Sequence, residues 1–198
     1  SNLRNSISGN QISALKIASN GIWIGTNGGL SFYSFGDNRF HDCFYFAGGR
    51  KKKMDMYIRG LALGNGHLLV VDWAGRLYEN YGSTSFRSLE IGTHPWRSIG
   101  YFRGDLFFFH GTSGLYLVNM KTHHVQSHYT YSFPGNSEVI YYSPNMQAIF
   151  VGFGLGYSTD VFTIDTKLKI NKTDKVVPAN VKTIIDYGKN TLFGTDGG

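Results

Sequence analysis

The constraint that most limits how this chain can fold is a repeat. The stretch Gly21-Ile22-Trp23-Ile24-Gly25-Thr26-Asn27-Gly28-Gly29-Leu30 returns in weaker copies along all 198 residues. Anchored on the glycine that closes the tight turn, the copies fall at Gly29, Gly75, Gly114, Gly156 and Gly198, at steps of 46, 39, 42 and 42 residues. Four residues before each anchor ends an apolar triplet: Trp23-Ile24-Gly25, Leu69-Val70-Val71, Phe108-Phe109-His110, Phe150-Val151-Gly152 and Leu192-Phe193-Gly194.

Each triplet follows turn chemistry, at Asn20-Gly21, Asn65-Gly66, Gly104-Asp105, Pro144-Asn145 and Lys189-Asn190. Asn, Asp and Gly tolerate the positive φ of tight hairpins. A further apolar run precedes every turn, from Ile12-Ser13-Ala14-Leu15 to Val181-Lys182-Thr183-Ile184, so each unit opens with a hairpin. A third alternating strand and a more polar outer segment follow, as in Leu30-Ser31-Phe32-Tyr33 and Phe40-His41-Asp42-Cys43. Four short strands per period of about 42 residues predict an all-β chain, a β-propeller built of four-stranded blades. The expected count is four blades plus the start of a fifth, a partial propeller in a single domain over 1–198. The repeat units run approximately 11–56, 57–95, 96–137, 138–180 and 181–198.

Composition agrees, with 31 aromatic residues, 26 glycines and only 4 prolines. Aromatic side chains fill half-buried pleated surfaces, and glycine serves the many turns. No ten-residue stretch has a helical period, and no apolar run is long enough to span a bilayer. The start, Ser1-Asn2-Leu3-Arg4, has no signal-peptide core, and Ser1-Asn2 has the look of a residue of tag removal. The lone Cys43 excludes a disulfide framework and reads as an inert strand residue.

Net charge is +6, from 19 basic and 13 acidic residues, and is densest at Arg50-Lys51-Lys52-Lys53. Following Gly48-Gly49 between two repeats, that run reads as a solvated loop, with an anionic partner as the alternative. No nucleic-acid motif accompanies it. The seven histidines form no metal-binding spacing, and Gly152-Phe153-Gly154-Leu155-Gly156 is the blade turn, with no helix behind it to hold phosphate. Neither a cofactor nor a catalytic residue is expected in this segment.

Trp23-Ile24-Gly25-Thr26 followed by Gly28-Gly29-Leu30 resembles the two-component-regulator propeller repeat. Phe193-Gly194-Thr195-Asp196-Gly197-Gly198 matches the same core, and the three copies between are degenerate. The resemblance implies a segment of the periplasmic sensor region of a hybrid two-component histidine kinase that detects polysaccharide-derived oligosaccharides. It implies further blades, a β-sandwich, a membrane helix and a kinase elsewhere in the parent protein, none of them within these residues. Either a homodimer through the open blade edges or closure as an unusually small ring is also expected, with neither nucleic acid nor membrane contact in this segment. A protein-interaction scaffold without a small-molecule ligand remains the alternative.

In a propeller the first strand of each blade lines the central channel. Sixteen residues before the anchors stand Ser13, Arg59, Ser98, Ile140 and Lys182. With a one-residue slip in the third repeat, Arg59, Arg97 and Lys182 would form a cationic ring for a uronic or sulfated oligosaccharide, because guanidinium binds carboxylate and sulfate bidentately. The alternative pairs these cations with Asp72, Asp105 or Glu138, or has them line a wet channel without ligand. The inter-blade segment Gly92-Thr93-His94-Pro95-Trp96-Arg97 and the turn residue Trp73 are candidate sugar-stacking positions. Asp72, Trp73 and His110, where the copies differ, complete the ligand-binding set. Trp23 belongs to the core.

Overall fold

The computed structural model describes residues 6–91, 95–131, 137–153, 158–178 and 181–195. Its contacts divide the chain into two compact units, Ser1–Trp96 and Arg97–Gly198.

In the first unit, β1 (Ile12–Ala18), β2 (Gly21–Thr26), β3 (Gly29–Ser34) and β4 (Arg39–Asp42) form one antiparallel sheet in chain order. The next elements are β5 (Phe44–Ala47), β6 (Arg50–Lys53), β7 (Ile58–Gly64), β8 (His67–Asp72), β9 (Leu77–Gly82) and β10 (Ser85–Leu89). They join in a six-stranded sheet of order β6-β5-β10-β9-β8-β7. The basic run is therefore a strand and not a loop. Gly48 and Gly49, both at positive φ, turn β5 back into β6, and β5 pairs parallel with β10. Residues 44–53, counted by sequence with the first repeat, thus extend the sheet of the second.

The second unit holds, except for Trp96 at its start, a sheet of β11 (Trp96–Arg103), β12 (Leu106–Gly111), β13 (Gly114–Asn119) and β14 (His124–Thr130). Another follows in β15 (Ser137–Ser143), β16 (Ala148–Phe153), β17 (Thr159–Ile164) and β18 (Ile170–Val177). The hairpin β19 (Val181–Tyr187) and β20 (Asn190–Thr195) begins a fifth repeat. The described residues contain no helix. Each four-stranded set is a β-propeller blade.

Within each unit the triplets of the first, third and fourth repeats fill the layer toward the following sheet, and their period explains why. Side chains two apart share a face of a strand. Trp23, the first triplet member in the first blade, clusters with Ile58, Leu61, Leu68 and Val70 of the following sheet, its ring edge-on to Phe86 at 5.7 Å. Phe108 likewise packs with Ile140, Ile149, Val151 and Phe153 of the next blade, and Phe150 with Val181 and Ile184. Burying such a side chain contributes about 1.5–3 kcal/mol.

The third triplet member lies on the same face, where the next inner strand comes close. A β-carbon on Gly152 would stand 2.8 Å from the Val181 carbonyl oxygen. The repeat's glycine is thus a spacing device. At the anchor Gly29, with φ of 133°, a β-carbon would collide with the Met54 carbonyl oxygen, and the Leu30 amide donates to that oxygen at 3.1 Å. Blade turn and following segment are clamped together.

Candidate functional site

Strand pairing shows what sets the inner-strand positions apart. The β1–β2 register shifts between Ile12 and Ala14, the β7–β8 register between Ile58 and Gly60, and the β19–β20 register between Val181 and Thr183. Ser13, Arg59 and Lys182 therefore occupy the same bulge in three repeats, and bulges re-aim side chains. In the fourth repeat the shift lies between Ser137 and Val139. Glu138, not Ile140, takes the equivalent backbone position, because the turn 144–147 is two residues longer than its two-residue counterparts. Ile140 is a core residue.

Around the bulge of β7 the structure gathers three residues. The Arg59 guanidinium carbon lies 4.8 Å from the centre of the Trp73 ring. Tyr57 stacks on that ring at 5.1 Å with an interplanar angle of 15°. The Trp73 amide donates to the Tyr57 carbonyl oxygen at 2.9 Å, fixing the backbone beneath both rings. Trp73 remains 54% exposed, while Tyr57 and Arg59 are half-buried.

Asp72, 1% exposed, underpins the turn that carries Trp73. Its carboxylate accepts the Arg76 backbone amide at 2.9 Å, Arg76 Nε at 2.6 Å and the Tyr78 hydroxyl at 3.3 Å. Burial, then the negative charge of Asp72, pushes the Tyr78 phenol well above its ordinary pKa. Burial pulls the Arg76 guanidinium the other way, yet the hydrogen bond to Asp72 holds it above its ordinary value. Asp72 is thus a turn clamp and offers its oxygens to neighbours within the chain.

The other expected positions fall elsewhere. Trp96, 3% exposed, opens β11 as an interior side chain, and its amide donates to the Gly75 carbonyl oxygen at 3.0 Å. It presents no face for a sugar to stack upon. Gly92, Thr93 and His94 lie outside the described residues, as do the anchors Gly156 and Gly198. His110 is buried on β12, edge-on to Phe153 at 5.9 Å, filling the place that glycine holds in the first, fourth and fifth repeats. Its departure from the repeat serves packing. Arg97 is half-buried on β11 and Lys182 exposed on β19. Among the described residues, no three His, Cys, Asp or Glu side chains group as a metal site.

Sequence reasoning did not single out Tyr57. The available signal was its place two residues before Arg59, just ahead of the strand that carries it. Together Tyr57, Arg59 and Trp73 form an aromatic face with a cation over it, suited to the apolar side of a pyranose ring and an adjacent anionic group.

The succession of four-stranded antiparallel blades defines a β-propeller. Solved structures similar to this chain include Hsv2 of Kluyveromyces lactis, with a TM-score of 0.52 and 12% identity over 77% of this chain and 48% of that one. Another is YCF48 bound to a D1 peptide, with a TM-score of 0.60 and 9% identity over 88% of this chain and 58% of that one. At such identities the likeness shows the fold alone, and the chain spans about half the length of these structures. No family model matches the chain, and no curated protein sequence does.

Proposed function

We propose that this chain is a ligand-recognition stretch of the extracytoplasmic sensor region of a hybrid two-component histidine kinase, and that its ligand is an acidic oligosaccharide. The observation that carries the ligand reading is the exposed Trp73 ring, stacked on Tyr57 with the Arg59 guanidinium 4.8 Å from its centre. Tyr57 braces the exposed ring from one side, so a sugar that takes the place of the Arg59 guanidinium over it would require only that side chain to swing aside, which limits the entropy lost on binding. The sensor reading rests on the resemblance of Trp23-Ile24-Gly25-Thr26 and Phe193-Gly194-Thr195 to the two-component-regulator repeat. In such a protein, ligand would shift the kinase equilibrium only through its difference in affinity between two arrangements of the sensor.

Titration with oligogalacturonate, followed by calorimetry and tryptophan fluorescence, tests this. Binding should be lost in Trp73→Ala and weakened in Arg59→Gln, both variants keeping the native unfolding midpoint. Equal affinity for a neutral oligosaccharide of the same length, or unchanged affinity in Trp73→Ala, overturns the reading. A peptide-binding scaffold is the second reading. It is favoured by the likeness to a propeller solved with a bound peptide, and predicts no glycan binding at all.

A further inference from the structure

The hairpin β5–β6 is an addition to the four-strand blade plan, and its outer strand ends the six-stranded sheet of the first unit. Because Gly48-Gly49 is a two-residue turn, Ala47 and Arg50 form the hydrogen-bonded pair next to it, and so do Tyr45 and Lys52. The Met54 amide, donating to the Cys43 carbonyl oxygen at 2.9 Å, continues that phase. By the same alternation, the amide and carbonyl groups of Lys51 and Lys53 are directed away from β5, to the side of β6 on which no strand of the described residues pairs.

This edge has a chemistry of its own. Arg50, Lys51 and Lys52 are exposed, and Lys53 reaches Asp42 at 2.7 Å. Lys51 Nζ stands 4.2 Å from the centre of the Phe44 ring, which holds its stem over the hairpin. On the same face, directly opposite Lys51, Phe46 is exposed and meets the exposed Tyr81 edge-on at 6.1 Å. Four consecutive cations guard the edge against a second copy of itself, since like charges placed opposite one another repel. The same cations attract an extended segment of opposite charge, and the Phe46–Tyr81 pair gives an apolar side chain of that segment a place to rest.

We infer that the open edge of β6 binds an acidic extended polypeptide by β-augmentation, the guest adding a seventh strand to this sheet. The backbone groups of Lys51 and Lys53 supply register and the basic side chains supply charge complementarity. Bare electrostatic adsorption would need neither the phase of the backbone nor the aromatic pair.

The test uses a fluorescent peptide of alternating Glu and Val and the intact 198-residue chain. Two versions of the peptide carry N-methyl groups on alternate amides, in opposite phases. Fluorescence anisotropy should show the unmodified peptide binding, with one methylated phase weakened about tenfold or more and the other nearly unchanged, because only one phase faces β6. Lys51→Gln should weaken binding and flatten its salt dependence while leaving the unfolding midpoint in place. Tyr81→Ala should weaken it without altering the salt dependence. Equal binding of both methylated phases, equal binding of polyglutamate, preferential binding of duplex DNA or anionic vesicles, or no binding at low salt would each overturn the inference. Glycan titration of the Trp73 face is independent of every one of these outcomes.

Discussion

Gly25 lies so close to Ile58 that a β-carbon added to it would stand 2.7 Å from the isoleucine Cγ2. The two residues belong to neighbouring blades, and at the edge of the same interface the Ser13 hydroxyl donates to the Ile58 carbonyl oxygen at 2.5 Å. A methyl group there must displace a buried branched side chain or the strand that carries it. Gly25→Ala is expected to destabilise the chain by about 1–3 kcal/mol through overpacking, read as a lower urea midpoint at unchanged slope. Gly82→Ala, with nothing within 4 Å of the new carbon, should stay within about 0.5 kcal/mol of the parent. Equal midpoints for the two variants would remove the spacing argument.

The Asp72 clamp separates turn stability from ligand contact. Asp72→Asn keeps an oxygen near the Arg76 amide but weakens the bond from Arg76 Nε, and it turns an amide nitrogen toward donors. A loss of about 1–3 kcal/mol is expected, moderated because Arg76 itself is exposed and screened. If Trp73 is the recognition surface, oligogalacturonate affinity in the folded variant should change far less than in Trp73→Ala. A large affinity loss with no stability loss would assign Asp72 to the ligand instead.

Blade order, hairpin positions and triplet register were legible in the sequence because period-two alternation and Asn-Gly turns are local signals that recur. The outer hairpin was not. Its partner β10 is more than thirty residues further on and pairs in parallel, so nothing local to Lys51 or Phe44 announces it. Arg59 and Trp73 showed as departures from the repeat, whereas Tyr57 precedes the aligned strand and shows only through its stacking. His110 and Trp96 are the opposite case. A departure from a repeat and a tryptophan beside an arginine and a histidine in an inter-blade segment both looked functional, and each side chain fills an interior position. The longer turn at 144–147 misplaced the count in the fourth repeat, which strand pairing corrects to Glu138.

Cys43 offers a direct probe of whether the first two sheets stay closed. It is buried in the cluster containing Trp23, Met54 and Phe86. Burial, followed by the nearby Asp42 carboxylate, pushes its thiol well above the ordinary value, outweighing Lys53. Since the thiolate is the reactive form, labelling by a disulfide reagent at neutral pH should be slow in the native chain and immediate in urea. The native rate should follow the opening equilibrium, so Gly25→Ala should accelerate it about as much as it lowers stability. Rapid labelling of the folded parent would show that this layer is open.

The Tyr78 phenol predicts how the chain behaves at high pH. It is neutral when protonated, and burial beside Asp72 raises its folded-state pKa above the ordinary 10.0 of an unfolded tyrosine. Between those two values the folded chain keeps a proton that the unfolded chain has released, so stability falls as pH rises. The contribution is fully present below pH 10.0 and is lost as pH climbs through the folded-state value. Unfolding midpoints should accordingly decline with alkalinity beyond that point, with Tyr78 ionising only as the chain opens. Tyr78→Phe gives up the 3.3 Å hydrogen bond to Asp72 and should lower stability at neutral pH. The decline above pH 10 should then be shallower than in the parent. Tyr131, raised chiefly by burial and further by Asp160, accounts for part of the slope that remains. A parental slope in Tyr78→Phe would mean that the phenol ionises freely in the folded state.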